Sequence, residues 1–172
     1  MVLLREHTVC FTGHREIRDG QLREPLARVV ESLIHQGFLY FGAGGARGFD
    51  TLAADVVLEL KAKYPQIHLI LVLPFVNPFQ RESGWTREEI ARHQAQTKKA
   101  SRVVYTQEAY SRGCYYKRDR HLVDCSSVCV FYQYKASGGT AYTTKYAREQ
   151  GLKLINCAKS APWQAAQKSR GC

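Results

Sequence analysis

No apolar run in this chain approaches the roughly 18 residues that a membrane-spanning helix requires. The opening Met1-Val2-Leu3-Leu4-Arg5-Glu6 is too short and too soon charged for a secretory signal. There is no Cys-x-x-C pair, no internal repeat, no low-complexity stretch and no Lys/Arg-rich block of the localisation type. Two phosphate-loop fingerprints also fail. The glycines after Gly42-x-Gly44 fall at 45 and 48, not at 47, so the dinucleotide pattern G-x-G-x-x-G misses by one position. No Gly-Lys-Ser/Thr follows to complete a Walker loop. These absences argue against a membrane protein and against a conventional NAD or Walker-type enzyme. The expectation is a soluble, cytoplasmic protein with no cofactor.

At 172 residues the chain is one domain by size and long enough to bury a core. A core of that size does not need disulfide staples, although six cysteines are present. Cys10 and Cys129 fall in apolar, strand-like runs, where cysteine acts as a small hydrophobe. His121, Cys125 and Cys129 recur at four-residue spacing and invite a zinc reading. A helix-to-strand change between Ser126 and Val128 would separate them, and no second ligand pair follows, so no metal is expected. The net charge of +10 attracts polyanions such as nucleic acid. Its cations are scattered, apart from Lys98-Lys99, Lys117-Arg118 with Arg120, and the stretch from Lys159 to Arg170. That scatter favours a solvated surface, one that also suits small phosphorylated ligands.

What is present is an alternation of strands and helices. Thr8-Val9-Cys10-Phe11-Thr12 reads as a first strand, and Gln21 to Gln36 as a helix with Leu22, Leu26, Val29, Val30 and Leu33 on one face. Gly37 sits at a C-cap position. Phe38 to Phe41 reads as a second strand, followed by a glycine turn and a helix to about Lys63. His68 to Leu73 is nearly continuously apolar, as expected of a parallel strand covered on both faces. Pro74 to Gly84 is a loop, and Thr86 with Glu89 forms a capping box for a helix to about Ala100. A strand at Arg102 to Tyr105, a helix from Tyr115 to Cys125 and a strand from Ser127 to Tyr132 follow. Ser137-Gly138-Gly139-Thr140 opens a further helix through Arg148, and Leu152 to Ile155 is a last strand. The pattern predicts an α/β, Rossmann-like, doubly wound and mainly parallel sheet flanked by helices over residues 1–158, with a flexible C-terminal tail over 159–172. Ligands of such sheets bind outside the carboxyl ends of the strands.

The glycine turn Gly42 to Asp50 is the strongest functional signal. Glycines bring backbone N–H groups close to a ligand, and the helix behind adds its positive N-terminus. Gly44, Gly45, Ala46 and Gly48 are therefore candidate phosphate contacts, and valine at Gly45 and Gly48 is expected to abolish binding while leaving the fold intact. Gly138, Gly139 and Thr140 form a second junction of this kind. Gly13, His14 and Arg15 close the first strand, with Arg15 able to grip a phosphate and His14 titrating near neutrality. Asp50 either balances its helix N-terminus or accepts ribose hydroxyls. Trp85 is the candidate cover for a base. Tyr115 and Tyr116 are assigned to helix packing, and Arg120 with Asp124 to a surface pair at i,i+4 spacing.

Five ordered motifs resemble the SLOG superfamily, which groups the Smf/DprA proteins with the lonely-guy cytokinin-activating enzymes. They are Thr12-Gly13-His14-Arg15, Gly44-Gly45-Ala46-x-Gly48-x-Asp50, Pro74 through Gln80 to Trp85, Arg118-x-Arg120-x-x-Val123-Asp124, and Gly138-Gly139-Thr140. The likeness is greatest to the YpsA-like branch. It implies a Rossmann-like fold, a nucleotide or nucleotide-derived ligand and a homodimer, in a sensor or regulatory protein. The lonely-guy likeness implies an alternative, a phosphoribohydrolase cleaving the base–ribose bond of a nucleoside 5′-monophosphate. Arg118 matches its arginine, with Asp50 as a tentative catalytic partner. The glutamate expected after the glycine–threonine turn is replaced by Ala141-Tyr142-Thr143, leaving Asp50 or Asp119 as substitute carboxylates. The Smf/DprA likeness implies single-stranded nucleic-acid binding as a second alternative.

Overall fold

The computed structural model describes residues 2–158, so the tail expected over 159–172 lies outside the described residues. The elements run α1 (Val2–Glu6), β1 (Thr8–Gly13), α2 (Arg23–His35), β2 (Tyr40–Ala43), α3 (Phe49–Lys63) and β3 (His68–Leu73). They continue through a 3₁₀ turn (Pro78–Gln80), α4 (Arg87–Lys99), β4 (Arg102–Tyr105), α5 (Cys114–Asp124), β5 (Val128–Tyr132), α6 (Gly139–Glu149) and β6 (Lys153–Asn156). The sheet order is β4-β3-β2-β1-β5-β6, and every pairing is parallel. This is the α/β, doubly wound architecture the alternation implies.

The period-2 alternation of strand side chains divides the core into two layers. Val9, Phe11, Phe41, Leu69, Leu71 and Val130 face α2 and α3, meeting Leu26, Val30, Leu33, Ala53 and Val57 in one buried cluster. Cys10, Val72, Cys129 and Phe131 face the other way, toward Leu122 and Val123 of α5 and Ala147 of α6. Phe11 anchors the larger cluster, lying 6.3 Å from the rings of both Phe41 and Phe49. Both faces of the sheet are thus covered, which explains why β3 and β5 read as unbroken apolar runs. The capping box is formed: Glu89 N–H donates to Thr86 Oγ1 at 3.1 Å and Thr86 N–H to Glu89 Oε2 at 2.9 Å.

Three sequence expectations are corrected. The second strand begins two residues later, at Tyr40, because Leu39 and Tyr40 first hydrogen-bond the His7 carbonyl before the ladder with β1 and β3 starts. A helix, α1, precedes β1. Arg120 and Asp124 do not pair; Arg120 donates to Tyr142 Oη at 2.8 Å, and Tyr146 Oη donates to Asp124 at 2.6 Å, joining α5 to α6. Chain reversal occurs between β1 and β5: β1 leads outward through β2, β3 and β4, whereas β5 leads to β6 on the other side. A crevice opens at the carboxyl ends of two such divergent strands. Phe11→Ala should cost about 3–5 kcal/mol, read as a lowered midpoint in chemical denaturation followed by circular dichroism.

Candidate functional site

The loops after β1 and β2 and the starts of α5 and α6 enclose a cavity of about 430 Å³ at this crevice. Thr12, Gly13, His14 and Arg15 line it from β1, and Ala46 and Asp50 from the glycine turn and α3. Gly113, Tyr115, Tyr116, Arg118 and Asp119 come from α5, and Gly139 and Thr140 from α6. The structure therefore brings together most of the residues expected from sequence. Gly44, Gly45, Gly48 and Trp85 lie outside the lining, and Gly138 is the N-cap beside it.

Arg118 forms the floor. It is buried, donates from Nε to Asp119 Oδ1 at 2.6 Å and from Nη1 to the Gly44 carbonyl. Burial alone would lower its pKa, but the carboxylates of Asp119 and Asp50 more than offset this and hold the guanidinium charged. Asp119 also accepts from Thr143 Oγ1 at 3.1 Å, which places its carboxylate beside the start of α6. Asp50 is buried, and desolvation pushes its carboxyl up to about 6, against the opposing pull of Arg118 and the amides of Ala46 and Gly44. The Ala46 N–H donates to Asp50 Oδ2 at 3.2 Å. The first glycine turn thus spends this donor on its own carboxylate.

The glycines of that turn are structural. Gly48 has φ +79, and a Cβ on it would lie 2.1 Å from the Arg15 carbonyl oxygen; Gly45 has φ +70, with a Cβ 2.3 Å from Leu73. Valine at either position therefore breaks the packing of the β1 and β2 loops, contrary to the sequence expectation that the fold would tolerate it. Gly138 and Gly139 differ, because a Cβ on either meets nothing within 4 Å. The N-cap Gly138 offers no side-chain cap, and α6 has no acid in its first turn, so no side chain of that turn compensates its leading N–H groups. The start of α5 at Gly113 likewise lacks a side-chain cap and a first-turn acid, but there Cys114 N–H donates to the Ser111 carbonyl at 3.2 Å.

His14 Nε2 accepts the N–H groups of Tyr134 and Lys135 at 3.1 and 3.3 Å, which assigns the proton to Nδ1. Burial lowers its pKa, with Lys135 and Arg18 adding to the effect, so the neutral ring braces the segment leading to Gly138. Arg15, its side chain 57% exposed, is 3.6 Å from Glu82 and is an exposed cation of the rim. Glu82, not singled out by any motif role, also accepts from Trp85 Nε1 at 3.0 Å and interacts with the Tyr115 hydroxyl. Trp85 is therefore corrected from base cover to loop anchor, its ring set against Phe79 and His93. Tyr116, assigned to packing, is instead 44% exposed on the cavity lining. Cys129 is buried on β5 beside Cys10, away from the exposed Cys125. Among the described residues no group of three or more His, Cys, Asp or Glu could hold a metal ion. No helix among them is long and apolar enough to cross a membrane.

Asp50 has a folded carboxyl near 6 against 3.8 for the free side chain, so the native state keeps a proton that the unfolded chain releases between those values. Stability contributed by this proton is present below pH 3.8 and lost as pH rises toward 6. Carboxyl-detected NMR should show that midpoint. Asp50→Asn should remove the corresponding slope from the pH dependence of unfolding.

Known proteins were compared with this arrangement. The SPbeta prophage-derived protein YoqJ of Bacillus subtilis (strain 168) is 26% identical over 145 residues, covering 77% of this chain and 83% of the relative. A UPF0398 protein of Bacillus thuringiensis (strain Al Hakam) is 22% identical over 133 residues, covering 76% and 71%. Among solved structures, DNA processing protein A (DprA) of Streptococcus pneumoniae superposes with a TM-score of 0.64 at 18% identity, covering 90% of this chain. The chain spans about half of that protein, 51%. DNA processing protein A of Helicobacter pylori, whose structure concerns its single-stranded DNA binding mode, gives 0.62 at 17% identity, covering 90% and 67%. These structures share the fold. A family model, described as the YspA SLOG family, matches residues 5–156, and the chain belongs to that family.

Proposed function

We propose that the chain binds a nucleotide or nucleotide-derived ligand in the crevice cavity, as a sensor or regulatory protein. The observation that carries this reading is the convergence of two uncapped helix N-termini, those of α5 and α6, on a single cavity at the chain-reversal point. Helix dipoles aligned on the cavity, without side-chain caps or first-turn acids to offset them, favour an anion there. The phosphate belongs at Gly139 and Thr140, with Arg15 swinging from Glu82 to close on it. Asp50 and Asp119 suit ribose hydroxyls, since carboxylates accept from hydroxyls and repel phosphate. A cavity of about 430 Å³ is within the range of small-molecule sites. The homodimer implied by the family resemblance forms part of the same proposal.

Gly139→Val tests the placement, because Gly139 lines the cavity and a Cβ there meets no protein atom within 4 Å. The expected result is at least tenfold weaker binding of a nucleoside monophosphate panel by calorimetry, with an unchanged thermal midpoint. Undiminished affinity would refute the phosphate position.

One observation favours the phosphoribohydrolase alternative. Asp119, tied to Thr143 of α6, supplies a carboxylate near the place where the family's glutamate is missing. Asp50, whose proton is retained to about pH 6, supplies a candidate acid in the same cavity. In such a hydrolysis the C1′–N bond breaks and the base leaves with a proton from Asp50, while water adds to C1′ and gives up its proton to the Asp119 carboxylate. Incubation with nucleoside 5′-monophosphates should then release ribose 5-phosphate and free base, and Asp119→Asn should stop the release. Absence of both products across the panel would leave binding as the whole activity. Single-stranded nucleic acid, motivated by the net charge and the DprA likeness, is the remaining alternative and would show binding that falls steeply with salt.

A further inference from the structure

We infer that Tyr116 is the platform on which the ligand's planar base stacks, an inference that rests on the cavity being a nucleotide site. Tyr115 and Tyr116 are neighbours on α5, yet their surroundings differ. Tyr115 interacts through its hydroxyl with Glu82, and its ring lies against Phe75 and Tyr110, at 6.1 and 6.4 Å. It is part of the framework. Tyr116 lines the cavity and leaves 44% of its surface uncovered. An aromatic ring that wet, at the mouth of a polar crevice, keeps apolar area available for a flat partner.

The ring is also held in place. Among the described residues its one aromatic partner is Tyr142 of α6, 4.3 Å away between centroids and tilted by 51°. Tyr142 is fixed in turn by Arg120, which donates to its hydroxyl at 2.8 Å. Tyr116 is thus backed by a pinned ring and still leaves 44% of its surface uncovered. A preorganised aromatic loses little conformational freedom when a base settles on it. Its position is consistent with the rest of the ligand, because Tyr142 lies on the first turns of the helix whose start, Gly139 and Thr140, is the proposed phosphate site. The base therefore lies over α5 and α6. Stacking uses the π-face that every base possesses, so a platform of this kind accepts purines and pyrimidines alike.

The test is calorimetry on the full chain with AMP, CMP and ribose 5-phosphate as probes, comparing wild type with Tyr116→Ala, Tyr116→Leu and Tyr116→Phe. Alanine should weaken AMP and CMP binding by about 5- to 150-fold, the range for losing one base–aromatic stack. Ribose 5-phosphate, which has no base, should bind as before. Leucine keeps bulk without a π-face and should repeat the loss; phenylalanine should restore most of the affinity. Unchanged AMP affinity in the alanine and leucine variants would overturn the inference. So would an equal loss for AMP and ribose 5-phosphate, since Tyr116 would then be acting through the sugar-phosphate end. If Gly139→Val spares AMP binding while Tyr116→Ala weakens it, the stack stands and the phosphate placement falls. A wild-type protein that binds none of the three probes refutes both.

Discussion

A buried guanidinium holds this site together. Arg118 on α5 reaches across the sheet edge to the Gly44 carbonyl after β2 while its Nε engages Asp119 one residue along its own helix. Asp50, at the start of α3, lies within the same field. One side chain thus fixes the relative positions of α5, the glycine turn and α3. Removing one partner of a buried ionic set leaves the others uncompensated and typically costs several kcal/mol. Arg118 therefore belongs to the framework first. Loss of activity in an Arg118 variant would report the collapse of this arrangement before it reported any contact with a ligand.

The same ionic set divides the cavity into two chemical halves. On the floor, Asp50 and Asp119 surround Arg118 and use much of its charge, so this side is poor at attracting a further anion. On the rim, α6 begins with glycine, without a side-chain cap and without an acid in its first turn. Arg15 stands nearby, joined to Glu82 only across 3.6 Å and more than half exposed. An asymmetric ligand, anionic at one end and hydroxyl-bearing beyond it, matches that division better than an inorganic anion does. His14 supports the anionic half without touching it, because its neutral ring accepts two backbone N–H groups of the segment that leads into α6.

Most of the fold was legible because its signals are local. Apolar runs at β3 and β5, helical spacing in α2 and the Thr86–Glu89 capping box each specify an element without reference to distant residues. The start of β2 was not, since it is decided by a hydrogen bond to His7, more than thirty positions away in the chain. Within the site, the loops that follow strands were predictable from the alternation alone, and these carry Gly13, Arg15, Asp50 and Gly139. The roles of the aromatics were not predictable. Trp85 and Tyr116 differ in their surroundings through Glu82 and Tyr142, partners fixed only by tertiary packing. Asp119 acquires its place through Thr143, again a contact between two helices.

The two glycine turns show why a motif has to be weighed against the space around it. In the first, positive φ angles and close contacts mean that Gly48 lets the β1 loop backbone at Arg15 pass and Gly45 makes room for the Leu73 side chain at the end of β3. The Ala46 N–H between them is consumed by Asp50. In the second, a Cβ on Gly138 or Gly139 meets nothing within 4 Å, and among the described residues no side chain caps the helix N-terminus they begin. The denser glycine cluster is thus scaffold, and the sparser one borders open space. Density of glycine measures how closely the chain must pack. Whether a turn has donors to offer depends on where that packing leaves them without a side-chain partner, and here that is at α6.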